Sequence, residues 1–165
     1  MDYRIVEKGA FTLVGLRTRI PLIYEGVNPT AAAFVEQIGE EQWTQIADLS
    51  DQEPHGVLSV HDAISPSRDE GTELDYYVAA ATTEAVPADF EALEVRESTW
   101  LVLESSGEFP AALQELWPKA FREWFPANPY QSIPGPEMVL TEYTDDEQTS
   151  GRYELWIPVE KRENA

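Results

Sequence analysis

The chain has 165 residues, of which 42% are hydrophobic and 11% aromatic, the size and make-up of one globular domain that can bury a core without metal or disulfide staples. Its 31 acidic side chains against 11 basic ones give a formal net charge of −20, which repels a polyanion and argues against direct contact with DNA or RNA. With no cysteine, a thiol nucleophile, a disulfide framework and a thiolate metal site are all excluded.

Residues 3–8 and 11–20 alternate apolar and polar side chains and are rich in β-branched residues, which predicts two strands, with Gly9 or Gly15 able to seat a bulge. Asn28-Pro29 supplies an N-cap followed by proline in the first turn. It opens a helical stretch in which Phe34, Val35, Ile38, Trp43 and Ile46 recur at helical spacing and Gly39 marks a break. Residues 57–64 and 74–82 read as a hairpin around Ser65-Pro66-Ser67-Arg68-Asp69-Glu70-Gly71.

After a linker from Thr83 to Asp89, residues 90–96 and 99–105 read as strands. Phe109, Leu113, Leu116, Trp117, Phe121 and Trp124 then follow the i, i+3, i+4 rule of a helix packed on a core. Pro118 lies inside that helix and predicts a kink or a break near residue 117, because proline lacks the N–H that would bond back one turn. Two more strands, 138–143 and 153–159, flank the acidic turn 144–151.

With its leading pair of strands counted as one element, each half runs strand, helix, strand, strand, at an offset of about 80 residues. The expected fold is α+β, a single domain over residues 1–165 built from two pseudo-symmetric βαββ units, about 1–84 and 88–160. The units would form a curved antiparallel sheet with helices packed on it and a ligand groove along the central seam.

Several chemistries find no support. His55 and His61 are six apart, which is no metal-ligand spacing, and they read as surface or turn residues. There is no glycine-rich phosphate loop and no Gly-x-Ser-x-Gly elbow. No apolar run approaches the roughly 18 residues of a membrane span, and the first residues lack the pattern of a secretion signal. No cofactor or metal is called for, no residues remain for a helix-turn-helix, and a cytoplasmic location without membrane contact is the expectation.

Short motifs in a fixed order carry a more specific message. Trp100-Leu101-Val102-Leu103 precedes Gly107; Trp124-Phe125-Pro126 ends the helix; Gly135-Pro136-Glu137, Glu142-Tyr143 and Tyr153-Glu154-Leu155-Trp156-Ile157-Pro158-Val159 follow. Val14-Gly15 and Leu74-Asp75-Tyr76 take the matching places in the first half. Over nearly its whole length the chain resembles the GyrI-like small-molecule-binding domain, the effector-binding module also fused to AraC-type and MerR-type multidrug regulators.

The resemblance implies a groove that binds lipophilic, often cationic, molecules between aromatic side chains and a carboxylate. The family's acid stands two positions before the strand tyrosine. Here that position is Thr141 and the glutamate is Glu142, which on a regular strand faces away from Tyr143. Glu154 is the reserve acid, on the same strand face as Trp156. The expected binding residues are therefore Glu142, Glu154, Trp156, Tyr76, Trp100, Trp124 and Phe125, because a cation gains about 0.5–2 kcal/mol from each aromatic face it meets.

The leading expectation is a free-standing binding protein for lipophilic, cationic small molecules, serving sequestration or sensing through a protein partner. The resemblance also implies two alternatives. One is a hydrolase that opens strained cyclopropane-type electrophiles, with Glu142 as base and Tyr143 or Tyr76 as acid. The other is an acidic inhibitor of a basic enzyme such as DNA gyrase.

Overall fold

The structure, a computed structural model, describes residues 2–163. Strands β1 (Asp2–Lys8) and β2 (Phe11–Pro21) lead into helices α1 (Pro29–Glu36) and α2 (Glu40–Leu49), followed by β3 (Leu58–Asp62) and β4 (Glu73–Thr82). The second half starts with β5 (Glu91–Val95) and β6 (Ser98–Glu108), passes through a helical segment over 111–127, and ends with β7 (Tyr130–Ser132), β8 (Glu137–Tyr143) and β9 (Ser150–Lys161).

All the strands join in one antiparallel sheet whose order is β1-β6-β9-β8-β3-β4-β2-β5, with β7 paired to β9. This order maps onto itself when β1 exchanges with β5, β2 with β6, β3 with β8 and β4 with β9, so a pseudo-two-fold axis passes between β3 and β8. The leading strands are exchanged between halves: β1 pairs with β6, and β5 pairs with β2. Each repeat is thus a βαββ unit preceded by a strand lent to the other half, a pairing that local sequence pattern does not encode.

Those exchanges bend the sheet. Only Gly9-Ala10 separates β1 from β2, and only Arg96-Glu97 separates β5 from β6, and links of that length reach about 11 Å at most. Each link connects one edge of the sheet to a strand near the opposite edge, so the sheet must curl until its ends approach. Phe11 on β2 accordingly lies 6.3 Å from Trp100 on β6, ring centre to ring centre.

The inner face of the curl is packed with Phe11, Leu58, Tyr77, Trp100, Met138 and Trp156. The helices cover the outer face in two separate patches. Helices α1 and α2 lie over Ile20, Leu74 and Val78, while the segment 111–127 puts Leu116, Ala120 and Trp124 against Leu101 and Leu155. Between the patches, the outer face of β3 and β8 is left without a helix.

Helix starts and interruptions follow the expected chemistry. Asn28 Oδ1 accepts from the N–H groups of Thr30 and Ala31, and Gly39 sits at the N-cap of α2. At Pro118 the segment changes its winding, with a wide π-helical turn over Lys119–Trp124 directly after the proline, and a turn at Glu115 parts residues 111–114 from 116–118. The expected interruption takes the form of the turn at Glu115 and a local unwinding after the proline, with Leu116, Ala120 and Trp124 on the sheet.

Gly15 is needed for close approach and not for a bulge, since the β2–β4 register runs unbroken from Thr12 opposite Thr82 to Pro21 opposite Glu73. A Cβ at Gly15 would stand 1.9 Å from the Val78 carbonyl oxygen, whereas one at Gly9 would meet nothing within 4 Å. Gly15→Ala should therefore cost about 1–3 kcal/mol in urea unfolding, and Gly9→Ala should stay within about 0.5 kcal/mol. Equal midpoints for the two variants would contradict this packing.

Candidate functional site

The uncovered seam between the two helical patches is a cavity of about 910 Å³. Its floor is the outer face of β3, β4 and β8, where strand alternation brings up Ser59, His61, Tyr76, Glu137, Val139 and Thr141. Val35 of α1 and Trp43 of α2 form one wall; Phe109, Leu113 and Trp117 form the other. Residues 22–28 cross near the opening, tied across it where Gln114 Nε2 donates to the Gly26 carbonyl at 2.8 Å and Gly26 N–H donates to Gln114 Oε1 at 3.1 Å.

The acid on this floor is Glu137, which is 2% exposed. Burying a carboxylate costs several kcal/mol unless it is paired and hydrogen-bonded, and here both conditions hold. Trp117 Nε1 donates to Glu137 Oε1 at 2.8 Å, and the Arg68 guanidinium bridges both carboxylate oxygens. Arg68 also stacks on Phe121, its central carbon 4.3 Å from the ring centre.

His61 stands directly opposite Glu137 in the β3–β8 register. Its ring lies 5.5 Å from Tyr76 and 5.8 Å from Trp117, and its Nδ1 is sealed from solvent with no hydrogen-bond partner. Burial pushes its imidazole below the ordinary value near 6.5, against the pull of the Glu137 carboxylate and with the push of Arg68. Tyr76 donates to Ser59 Oγ at 3.1 Å, and burial raises its phenol, so it remains a neutral donor.

The residues expected from sequence are distributed over three places. Tyr76 is on the floor of the cavity, while Tyr143 is 39% exposed at the end of β8, edge-on to Phe109 at 5.4 Å. Glu142 is exposed at the mouth and belongs to the opposite strand face, because the β8–β9 register continues from Met138 to Tyr143 with no bulge to turn it. Glu154, Trp156 and Trp100 lie on the inner face of the sheet. There Glu154 accepts from Trp156 Nε1 at 3.0 Å and pairs with Arg4 at 3.4 Å, while Trp100 packs on Trp156 at 6.2 Å. Trp124 and Phe125 pack in the helix-to-sheet core with Tyr3, Tyr130 and Phe121.

The structure thus brings Tyr76 and Tyr143 to the groove, with Glu142 at its rim, and places the other five elsewhere. Glu137, Arg68, Trp117 and His61 were not singled out as site residues, and His61 is no surface or turn residue. The signal for them was phase. In Leu58-Ser59-Val60-His61 the apolar residues point to the inner core, so Ser59 and His61 are polar side chains on a face that helices flank. Among the described residues no cluster of three or more potential metal ligands occurs, and no helix is long and apolar enough to cross a membrane.

A curled sheet with a pseudo-two-fold seam, an apolar groove on that seam and a buried acid in its floor define an effector-binding domain. Residues 4–159 match the family described as integron-associated effector binding protein, Cass2. The chain belongs to this family and is a GyrI-like domain. No curated protein sequence matches it.

Among solved structures, a putative transcription regulation protein of Staphylococcus aureus MU50 is similar, with 20% identity and a TM-score of 0.67 over 97% of this chain and 99% of that one. SAV2435, solved with tetraphenylphosphonium bound, is similar with 21% identity and a TM-score of 0.68 over 97% and 94%. An integron cassette protein of Vibrio cholerae shares 16% identity with a TM-score of 0.56 over 96% and 95%.

The position of His61 has a consequence for stability. Its folded value is lowered, so its favourable contribution is complete above pH 6.5 and is lost as pH falls through 6.5 toward the folded value, where the unfolded chain alone takes up the proton. Between pH 7 and pH 5 the thermal midpoint of the wild type should fall more than that of His61→Gln. Parallel pH profiles would show that His61 does not bind its proton preferentially in the unfolded chain.

Proposed function

We propose that this chain binds a bulky lipophilic cation in the groove over β3 and β8, with Glu137 as the counter-charge and Trp117, Tyr76 and Trp43 as the aromatic walls. The observation that carries this reading is a single carboxylate, 2% exposed, in the floor of an apolar cavity of about 910 Å³. In such a place Coulomb attraction is little screened, and the ring faces of the walls add to it.

The family's effector-binding description and the bound tetraphenylphosphonium of SAV2435, a structural relative, support the same class of ligand. The cavity lies within the range of small-molecule sites, roughly 300–1,000 Å³. Its lining is largely apolar with a few convergent polar groups, which suits a ligand held by shape and charge more than by hydrogen-bond readout. The role is sequestration or sensing of such compounds, and the net charge of −20 argues against direct contact with nucleic acid.

Tetraphenylphosphonium is the direct probe, read by quenching of tryptophan fluorescence and by calorimetry. Wild type should bind it. Glu137→Gln should weaken binding at least about tenfold, since the groove then offers the cation no counter-charge, and Glu142→Gln should leave affinity unchanged. Loss of binding in Glu142→Gln with retention in Glu137→Gln would move the counter-charge to the rim and overturn this assignment.

A further inference from the structure

The acid of the groove already holds a cation. Arg68 reaches in from the β3–β4 loop, bridges both oxygens of Glu137 and lays its guanidinium on Phe121, so it combines the carboxylate and ring contacts proposed above for a lipophilic cation. Its side chain is 28% exposed and that of Glu137 3% exposed, so the guanidinium lies between the carboxylate and water. Arg68 is one of only three non-glycine residues with positive φ among those described, at +53°. This conformation is uncommon for a bulky side chain. The surroundings hold it there: the Tyr24 hydroxyl donates to the Arg68 carbonyl, and the Arg68 N–H donates to the Ser65 carbonyl at 2.9 Å.

We infer that Arg68 is a built-in competitor: it occupies Glu137 in the empty groove, and a cationic ligand binds by taking its place. This rests on the reading of the groove as a cation site and adds a specificity-determining residue to it. Two cations cannot share one buried carboxylate without leaving one charge unpaired in an apolar cavity, which is strongly unfavourable. A ligand therefore binds with what it gains on Glu137 and the aromatic walls, less what is lost when Arg68 leaves. Arg68 can leave at moderate cost because it lies at the edge of the cavity, where its charge can turn to water, a course not open to Glu137 on the floor. The device filters ligands. A weakly lipophilic cation such as a small ammonium ion cannot displace a bidentate, stacked guanidinium, whereas a bulky one with several rings also fills the cavity.

The test compares wild type, Arg68→Met, Glu137→Gln and the Arg68→Met, Glu137→Gln double variant, using tetraphenylphosphonium and its neutral relative triphenylphosphine oxide. Arg68→Met should bind the cation at least about tenfold more tightly than wild type, equivalent to about 1.4 kcal/mol. The gain should vanish when Glu137 is also Gln, and the neutral compound should gain much less than the cation. Binding by Arg68→Met but not by wild type would be the strong form of the same result.

Equal or weaker cation binding in a folded Arg68→Met, while wild type binds, would overturn the competitor role and leave the cation-site reading standing. An equal gain for the neutral compound would reduce Arg68 to a steric obstacle and also overturn it. Binding by neither protein would remove the cation site itself, and the competitor with it. Should Arg68→Met not fold, nitrogen-15 spectra of the wild-type arginine Nη–H groups decide, because Arg68 donates to Glu137 through Nη1 and Nη2. One solvent-protected resonance, assigned to Arg68 by its loss in Arg68→Lys, should lose protection when tetraphenylphosphonium saturates the protein. An unchanged spectrum at saturation would overturn the proposal.

Discussion

The exchange of the two leading strands is the constraint on which the rest of this structure depends. Links of two residues, 9–10 and 96–97, tie opposite edges of the sheet together and force it to curl. The curl divides the apolar surface into an inner core that closes on itself and an outer face that must be covered from outside. Because the chain supplies one helical patch per repeat, cover arrives on the two flanks, and the pseudo-two-fold axis is where cover is missing. The groove is thus a product of topology before it is a product of any particular side chain.

That origin explains why a charge is tolerated at its floor. The outer faces of β3 and β8 lie between the two helical patches with no helix directly over them, so Ser59, His61, Thr141 and Glu137 can occupy positions that would be Val or Leu in a filled core. Glu137 is the extreme case, and its partners come from three directions: His61 across the strand pair, Trp117 from the helical wall and Arg68 from the β3–β4 loop. Each of these elements also contributes to packing, through Val60 in the inner core, through Leu116 and Phe121 in the second-half core, and through Ile64 of the loop against the first-half core. The site and the fold therefore share their supports, and the wide turn after Pro118 keeps Trp117 on the groove while its neighbour Leu116 stays in the core.

The sequence made the elements legible where periodicity is local. The alternation of 11–20, the Asn28 cap, the break at Gly39 and the apolar stripe from Leu113 to Trp124 all correspond to what the backbone does. The pairing of β1 with β6 and of β5 with β2 was not legible, because it joins residues about 100 apart in one case and about 80 in the other and leaves no trace within either strand. The site was legible only in part for a related reason. Trp100, Trp156, Trp124 and Phe125 are large aromatics in family-like motifs, but ring size speaks equally for core packing, and the curled sheet has two faces to fill. Glu154 belongs with Trp156 because they share a strand face, and that face is the inner one. Glu137 stood inside Gly135-Pro136-Glu137, where the turn before it obscured the phase of the strand. With the phase known, Glu137, Val139, Thr141 and Tyr143 alternate with Met138 and Leu140, and the tyrosine and Glu137 fall on one face six residues apart.

The net charge of −20 and the groove act on a ligand at different ranges. At the floor the charges nearly cancel: Glu137 is matched by Arg68, and burial keeps His61 neutral. The excess acid lies outside, in stretches such as 145–147, and acts through solvent over about a Debye length, near 8 Å at physiological salt. That outer field raises the local concentration of any cation and so acts on the rate of arrival, with salt weakening it. Once a ligand is inside, the outer field distinguishes little between one cation and another. Discrimination falls to the exchange on Glu137 and to the apolar walls, whose contacts depend on shape and are insensitive to salt. Acidity of the whole chain and selectivity of the site are therefore separate properties, and ionic strength is the variable that parts them, slowing association while leaving the order of preference among cations of equal charge intact.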